Sequence, residues 1–382
     1  MKLRSAILLG ALAVAALAAA ACGGSDPTPT PRPAQATAVP TPTPDPSAVS
    51  ATFNVVLSMG PFGVVSVGIR DMIETGTNGR IKLEHQDEPN AAVAVPQLLA
   101  RNPEEYERTM FYINEETRGL WAQGVDVSGS GIIKPDPVAL YAIYPAACTT
   151  IVTIDPDIRT VADLAGKRIH PGTQGSVLPI ITDFAIEAAG VKGQVNVVPS
   201  AKQSYEALAD REVDAGTTGI VFGGAAGSAL TPGFNRLAQT TNELWLVDIP
   251  TDILDKSRAA NPAWDAAGLL QPLPVPRGAI RGSARVDYDI VRADSFCPAG
   301  ISVMLWTSPD VEDEIIYQMM TALLENRDMA DESFPFIAAP WKERLGHVFV
   351  SQDAFHPAAA RAYEEAGVTY GKEGVDEWIS QQ

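Results

Sequence analysis

The chain has 382 residues, and its 46 acidic against 28 basic side chains leave a formal net charge of −18 at pH 7. That balance argues against nucleic acid or an anionic membrane face as a partner. It does not exclude an anionic ligand, because a local cluster of N–H donors acts at short range.

Residues 1–21 carry Lys2 and Arg4 and then an apolar run of Ala, Leu, Val and Ile, the layout of a signal peptide. The small residues Ala19, Ala20 and Ala21 lead into Cys22 and Gly23. This resembles a lipoprotein signal cleaved before Cys22, with lipid on its sulfur; simple secretion or a retained anchor is the alternative. Residues 22–50 are dominated by Pro, Thr, Ala and Ser. Such a segment buries no core and is held extended by its prolines, as a stalk would be. No later run is apolar and long enough to span a bilayer. Roughly 330 residues remain for the folded body, large for one core and natural for two lobes. If Cys22 carries lipid, Cys148 and Cys297 either pair or stay free and buried.

The body opens with Thr52 to Leu57, a strand by its β-branched and aromatic content. Gly60 and Gly63 break it, and Val64 to Ile73 then run as a helix. Ile81 to Asp87 is a second strand, followed by Asn90, which either borders a site or starts the helix over 91–100. Residues 101–108 are a polar surface excursion. Phe111 to Ile113 read as a strand ending at Asn114, Glu115, Glu116 and Thr117, with a solvated helix start as the plain alternative. Val138 to Tyr144 and Thr149 to Ile154 are two strands separated at Pro145.

The stretch from Asp163 to Gly190 is the most informative. Lys167 to His170 is a short strand, Pro171 to Ser176 a loop with two glycines and two hydroxyl side chains, and the apolar positions from Val177 to Ala188 recur at helical spacing. Ser176 is the expected N-cap, Pro179 sits in the first turn, and Gly190 stops the helix. Backbone N–H groups and a helix N-terminus would converge on the loop, which suits an anion. A Gly-Ser turn that binds nothing is the plain alternative. No Lys follows Gly175, so the spacing is not that of a phosphate-binding P-loop.

Further on come a strand at Val195 to Val198, a helix at Ser200 to Ala209, and the run from Glu212 to Gly227 with Thr217, Thr218 and four later glycines. Those glycines either admit close backbone approach or pack the next helix, Ala225 to Leu230. Trp245 to Ile249 is a strand. Residues 250–285, rich in Pro, Gly and charge, form a variable segment containing Arg277 and Arg281. Val286 to Val291 and Gly300 to Trp306 are strands, and helices follow at Asp310 to Asn326, in part of 329–338, and at His356 to Gly367.

Three runs carry a family resemblance. Thr160 to Ser176 reads TVADLAGKRIHPGTQGS, Val213 to Ala215 reads VDA, and Phe355 to Val368 reads FHPAAARAYEEAGV. Together they resemble the TAXI family of TRAP-transporter solute receptors over about residues 52–370. Two departures stand out. Val65 and Ser66 occupy places where that family carries tyrosines, and Ala358 replaces a Gly.

The resemblance implies an α/β, two-lobed fold of the type II periplasmic-binding-protein kind with two hinge-crossing strands. Residues 51–148 and 287–382 would form one lobe and 149–286 the other. It implies capture of a small solute, a carboxylate such as glutamate, and delivery to a TRAP-type membrane permease from the outer face of the cell membrane. The implied ligand set is Ser58, Gly60, Phe62 and Gly63 on one side, Thr173, Gly175, Ser176, Thr217 and Thr218 on the other, with Asn90 and Glu115 at the border. If both crossings hold, Cys148 and Cys297 each lie near a hinge strand, and a disulfide would join them.

No catalytic set is legible. His85, His170, His347 and His356 show no metal-ligand pairing, and no nucleophile elbow or dinucleotide-binding glycine pattern occurs. We therefore expect neither an enzyme nor a cofactor or metal. A sensor or partner-binding surface lipoprotein, and an enzyme on the same bilobal fold, are the other classes.

Overall fold

The computed structural model describes residues 49–58, 62–88, 91–124, 136–172, 177–199, 202–221, 230–266, 271–275, 277, 280, 290–292, 295–297 and 299–380. Its first half alternates β1 (Ala51–Ser58), α1 (Phe62–Gly76), β2 (Ile81–Glu88), α2 (Ala91–Arg101), β3 (Thr109–Asn114) and α3 (Glu115–Ala122). The strands β1, β2 and β3 pair in parallel, as expected when a helix carries the chain back between strands.

Then comes β4, a single strand over Val138–Thr153. The second half alternates again: β5 (Arg168–His170), α4 (Leu178–Ala188), β6 (Asn196–Val197), α5 (Ser204–Ala209), β7 (Ala215–Val221), α6 (Pro232–Thr241) and β8 (Trp245–Leu246). Next stand α7 (Thr251–Ala260), α8 (Pro262–Ala266), β9 (Leu273–Val275), β10 (Ser295–Cys297) and β11 (Ala299–Thr307). The chain ends in helices α9 (Asp313–Glu325), α10 (Ala330–Ser333), α11 (Ala338–Arg344), α12 (Pro357–Glu365) and α13 (Gly371–Ser380).

Among the described residues, one mixed sheet runs in the order β2-β1-β3-β11-β4-β7-β5-β6, with β8 also paired to β4. The expected α/β class is met. β11 runs antiparallel between β3 and β4, and β4 pairs antiparallel with β7 over Ala147 to Thr153. The long β4 thus belongs to both halves of the sheet.

Pro145 does not end that strand. Opposite it the register slips, because Ile301 faces Ala147 while Val303 faces Tyr144, so two residues of β4 oppose one of β11. A proline without an N–H is tolerated at such a bulge. Two expected strands are therefore one.

Other expectations shift for local reasons. Val177, not Ser176, holds the N-cap position of α4, without a side-chain cap; Pro179 is in the first turn and Gly190 ends the helix region at φ 74°. The helix expected from Ser200 begins at Ser204, capped by a reciprocal Gln203–Glu206 box. Trp245 to Ile249 yields only a two-residue strand. Ile290 and Val291 lie outside any strand, although the Ile290 N–H and C=O bond Ile280 and Leu246; 281–289 lie outside the described residues. The helix expected over 225–230 also falls mostly outside them, and Leu230 is not helical. The variable segment contains α7 and α8, whose short apolar faces its prolines mask in sequence.

Among the described residues, three hydrophobic clusters form the core. The largest joins β1–β4, β11 and helices α1, α9, α11 and α12, with Trp306, Trp341, Phe111 and Tyr363 fully buried. Two smaller ones lie around β7: one with Val152, Leu208, Phe234 and Leu246, the other with Ile151, Ile169, Ile186 and Val247. Successive residues of β4, Ile151 and Val152, thus serve different clusters, as side chains on opposite faces of a sheet must. No described helix is long and apolar enough to cross a membrane.

Candidate functional site

The register brings the ends of the parallel strands together. The last residue of β3, Asn114, faces Val303 of β11, and Val303 faces Tyr144 in the middle of β4. From the other half, Val221 at the end of β7 faces Ala147. β5 runs parallel to β7, so it points the same way. The C-terminal ends of both sets of strands therefore meet at residues 144–147 of β4. In open α/β sheets such a meeting of strand ends is where the chain leaves a crevice for ligand.

Glu115, the first residue of α3, sits at this meeting. It is buried, and its carboxylate accepts N–H bonds from Ser302 at 2.9 Å and Phe349 at 3.0 Å. The first of these follows from the bulge: Ser302 is the β11 residue left between register steps, and its N–H turns to Glu115. The second depends on Gly300, where a Cβ would stand 2.4 Å from the Phe349 ring. Burial pushes the Glu115 carboxyl up to about 8, outweighing those N–H bonds. Glu116 beside it is fully buried, and neither carboxyl oxygen has a partner among the described residues. Burial and the neighbouring Glu115 raise it well above the usual range. The helix start at Glu115 is thus buried rather than solvated, because β11 and the 347–350 turn cover it.

The end of β5 is fixed by a polar network. His170 is buried; its Nδ1 accepts the Gly172 N–H at 3.0 Å, so Nε2 carries the proton and donates to the Lys202 carbonyl at 3.0 Å. The Ser204 hydroxyl lies 2.9 Å from Nδ1 and 2.8 Å from the Thr217 carbonyl. The Thr182 hydroxyl on α4 bonds the Pro171 and Leu178 carbonyls and the Thr217 hydroxyl. Gly172 has φ 98°, and a Cβ there would meet Leu178 at 2.4 Å. A left-handed residue pressed against the next helix has to be glycine.

Of the expected ligand residues, Ser58 closes β1, Phe62 and Gly63 open α1, and Thr217 and Thr218 lie buried in β7. The Thr217 hydroxyl faces Thr182, and the Thr218 hydroxyl bonds the Gly219 carbonyl. Gly60, Asn90, Thr173, Gly175 and Ser176 lie outside the described residues, as do Cys22 and Arg281. Val65 and Ser66 are buried, and the Ser66 hydroxyl donates to the Gly63 carbonyl, so both are packing positions in α1. Arg277 is exposed. Cys148, in β4, is disulfide-bonded. Sequence reasoning passed over His170, Thr182 and Ser204, whose signal would have been short polar residues at strand and helix ends. No group of His, Cys, Asp and Glu among the described residues has the arrangement of a metal site.

The model of the NMT1-like family matches residues 126–367. The chain belongs to that family. A comparison with curated proteins finds no match. Solved structures similar to this NMT1-like chain include the periplasmic binding protein BugD (11% identity, 84% of this chain and 99% of that one, TM-score 0.48). MatC from Rhodopseudomonas palustris with bound malate is similar at 12% identity, over 86% of this chain and 98% of that one, with TM-score 0.47. The alkanesulfonate-binding protein SsuA from Xanthomonas axonopodis pv. citri bound to MOPS is similar at 13%, over 88% and 85%, with TM-score 0.41.

Proposed function

We propose that this NMT1-like protein is an extracytoplasmic solute-binding lipoprotein and not an enzyme. In this reading residues 51–148 and 287–382 form one lobe and 149–286 the other. The strands β4 and β11 cross between them, and a small carboxylate binds in the crevice. Closure is stabilised by contacts available only when the lobes shut. The single observation that supports it best is the meeting of both sets of strand ends at the middle of β4.

The loop after Gly172 is the carboxylate-binding side, with Thr173, Gly175 and Ser176 supplying donors. The network of His170, Ser204, Thr182 and Thr217 holds Gly172, from which that loop leaves, in place. Ser58 to Gly63 face it from the other lobe. Cys22 carries lipid, residues 22–50 are the stalk, and a TRAP-type permease of the TAXI kind receives the solute. Cys297 in β10 is the partner of Cys148, which peptide mapping under non-reducing conditions checks.

The function is tested by thermal unfolding of the whole protein, washed free of bound solute under denaturing conditions and refolded, against small carboxylates, amino acids and sugars. A ligand at a hundred times its dissociation constant adds about 2.7 kcal/mol of stability. We expect one carboxylate to raise Tm and the rise to vanish in Thr173→Ala and Ser176→Ala. No rise across the panel would overturn the receptor reading.

A further inference from the structure

A cavity of about 420 Å³ opens at the opposite end of β7 from the crevice. Its wall includes Pro156 and Thr160, just beyond Thr153 at the end of β4, and Thr153 faces Ala215, the first residue of β7. The seven residues of β7 put about 20 Å between this cavity and the strand ends. Leu246 and the buried Val291 make its apolar surface, and Trp245, Arg159, Arg292 and Asp248 its polar one.

The two arginines are held differently. Arg292 is built in: its guanidinium donates to the Pro156 carbonyl at 2.8 Å and to the Ile158 carbonyl, and lies 5.3 Å from the centre of the Trp245 ring. Its buried Nε has no partner among the described residues. Arg159 is exposed, and its guanidinium makes no ion pair there. The nearby carboxylates are taken: Asp163 accepts the Arg159 and Thr160 N–H groups and the Thr160 hydroxyl, and Asp155 pairs with Lys167 at 3.0 Å. Among the described residues of the wall, Asp248 is the carboxylate and Arg159 and Arg292 are the guanidinium groups. Burial, and after it the charge of Arg159, disfavour the Arg292 cation, more than Asp163 and Asp155 nearby favour it.

We propose that this cavity is a second ligand site, which takes a small organic anion: a carboxylate or sulfonate on a flat apolar body. The anionic group would bridge Arg159 and the terminal N–H groups of Arg292 not spent on the Pro156 and Ile158 carbonyls, and the apolar body would cover Leu246 and Val291. Guanidinium groups recognise carboxylates and tetrahedral oxyanions by paired, charge-assisted hydrogen bonds. The site is independent of the crevice and its ligand.

The test uses the whole protein titrated with benzoate and with benzamide, its neutral counterpart, read by tryptophan fluorescence and by the indole N–H resonance assigned with Trp245→Phe. We expect benzoate to saturate and perturb Trp245, and benzamide to bind roughly tenfold or more weakly. Arg159→Ala, at an exposed side chain, should weaken benzoate by a similar factor with Tm unchanged; Arg292→Gln should abolish the signal. Absence of saturation, equal binding of benzamide, or binding indifferent to Arg159→Ala would each overturn the proposal. Benzoate bound in the crevice gives the last of these results.

Discussion

The two halves of the sheet are stabilised by different chemistry. Around β1–β3 and the C-terminal helices, large aromatic rings fill the core, and several spend their one polar atom on a backbone carbonyl, while the Tyr112 and Tyr141 hydroxyls bond each other at 2.8 Å. Trp306 and Trp341 donate to the Ile113 and Ala142 carbonyls at 3.0 and 2.9 Å, and Tyr363 donates to Leu140 at 3.1 Å. Tyr363 and Tyr370 stack, and Phe334 stands edge-on to Trp341. Around β5–β7 the buried polar groups are short, and they bond one another across elements: His170, Ser204, Thr182 and Thr217 inside, Arg168 with Asp214 at the edge. Aromatic packing makes a rigid body whose stability scales with volume. A buried hydrogen-bond network rigidifies the backbone it touches and is sensitive to every member. The half with the expected anion loop has the second kind.

The sharpest way to break this comparison is Trp341→Ala. Loss of the ring and a buried cavity should cost ~3–5 kcal/mol, measured by urea unfolding. A much smaller loss would mean that the aromatic cluster does not carry its half.

The Glu115–Glu116 pair, where the halves meet, comes next. Both carboxyls are raised above 4.5, Glu115 to about 8. Their neutral forms are therefore favoured by folding. That contribution is complete below the ordinary glutamate range and is lost as pH rises towards 8. Linkage makes the loss on the order of a few kcal/mol. Unfolding measured at pH 5 and pH 8 should show this fall, and the double variant Glu115→Gln, Glu116→Gln should flatten it. An unchanged slope would show that other groups set the pH response.

In the second half, Asp214 accepts the Arg168 backbone N–H and two bonds from its guanidinium. Asp214→Ala should cost ~2 kcal/mol and speed hydrogen exchange in β5 and β7 while leaving β1–β3 protected. Equal loosening of both halves would erase the distinction. Ser204→Ala removes a single bond of the network and should cost ~1 kcal/mol, with faster exchange at the Gly172 N–H as its local signature. The smallest effect belongs to Lys192→Ala. Its pairs with Asp183 and Glu187 are half exposed, so Tm should correspond to a change within ~0.5 kcal/mol.

By itself the sequence determined the alternation of strands and helices, the α/β class, the helix α4 with Gly190 just past its end, and the position of Glu115 at the end of β3. These are local properties: periodicity, β-branched content, and the few residues that tolerate a missing N–H or a positive φ. Only the tertiary structure decided that Pro145 lies inside one long strand, because the proline sits in a bulge of β4 that exists only through pairing with β11, more than 150 residues later. The same contact made Glu115 an acceptor for Ser302 and Phe349 rather than a solvated helix start. α7, α8 and α13 were hidden for a related reason: short helices are stabilised by the surface they pack on, and that surface is supplied by distant parts of the chain.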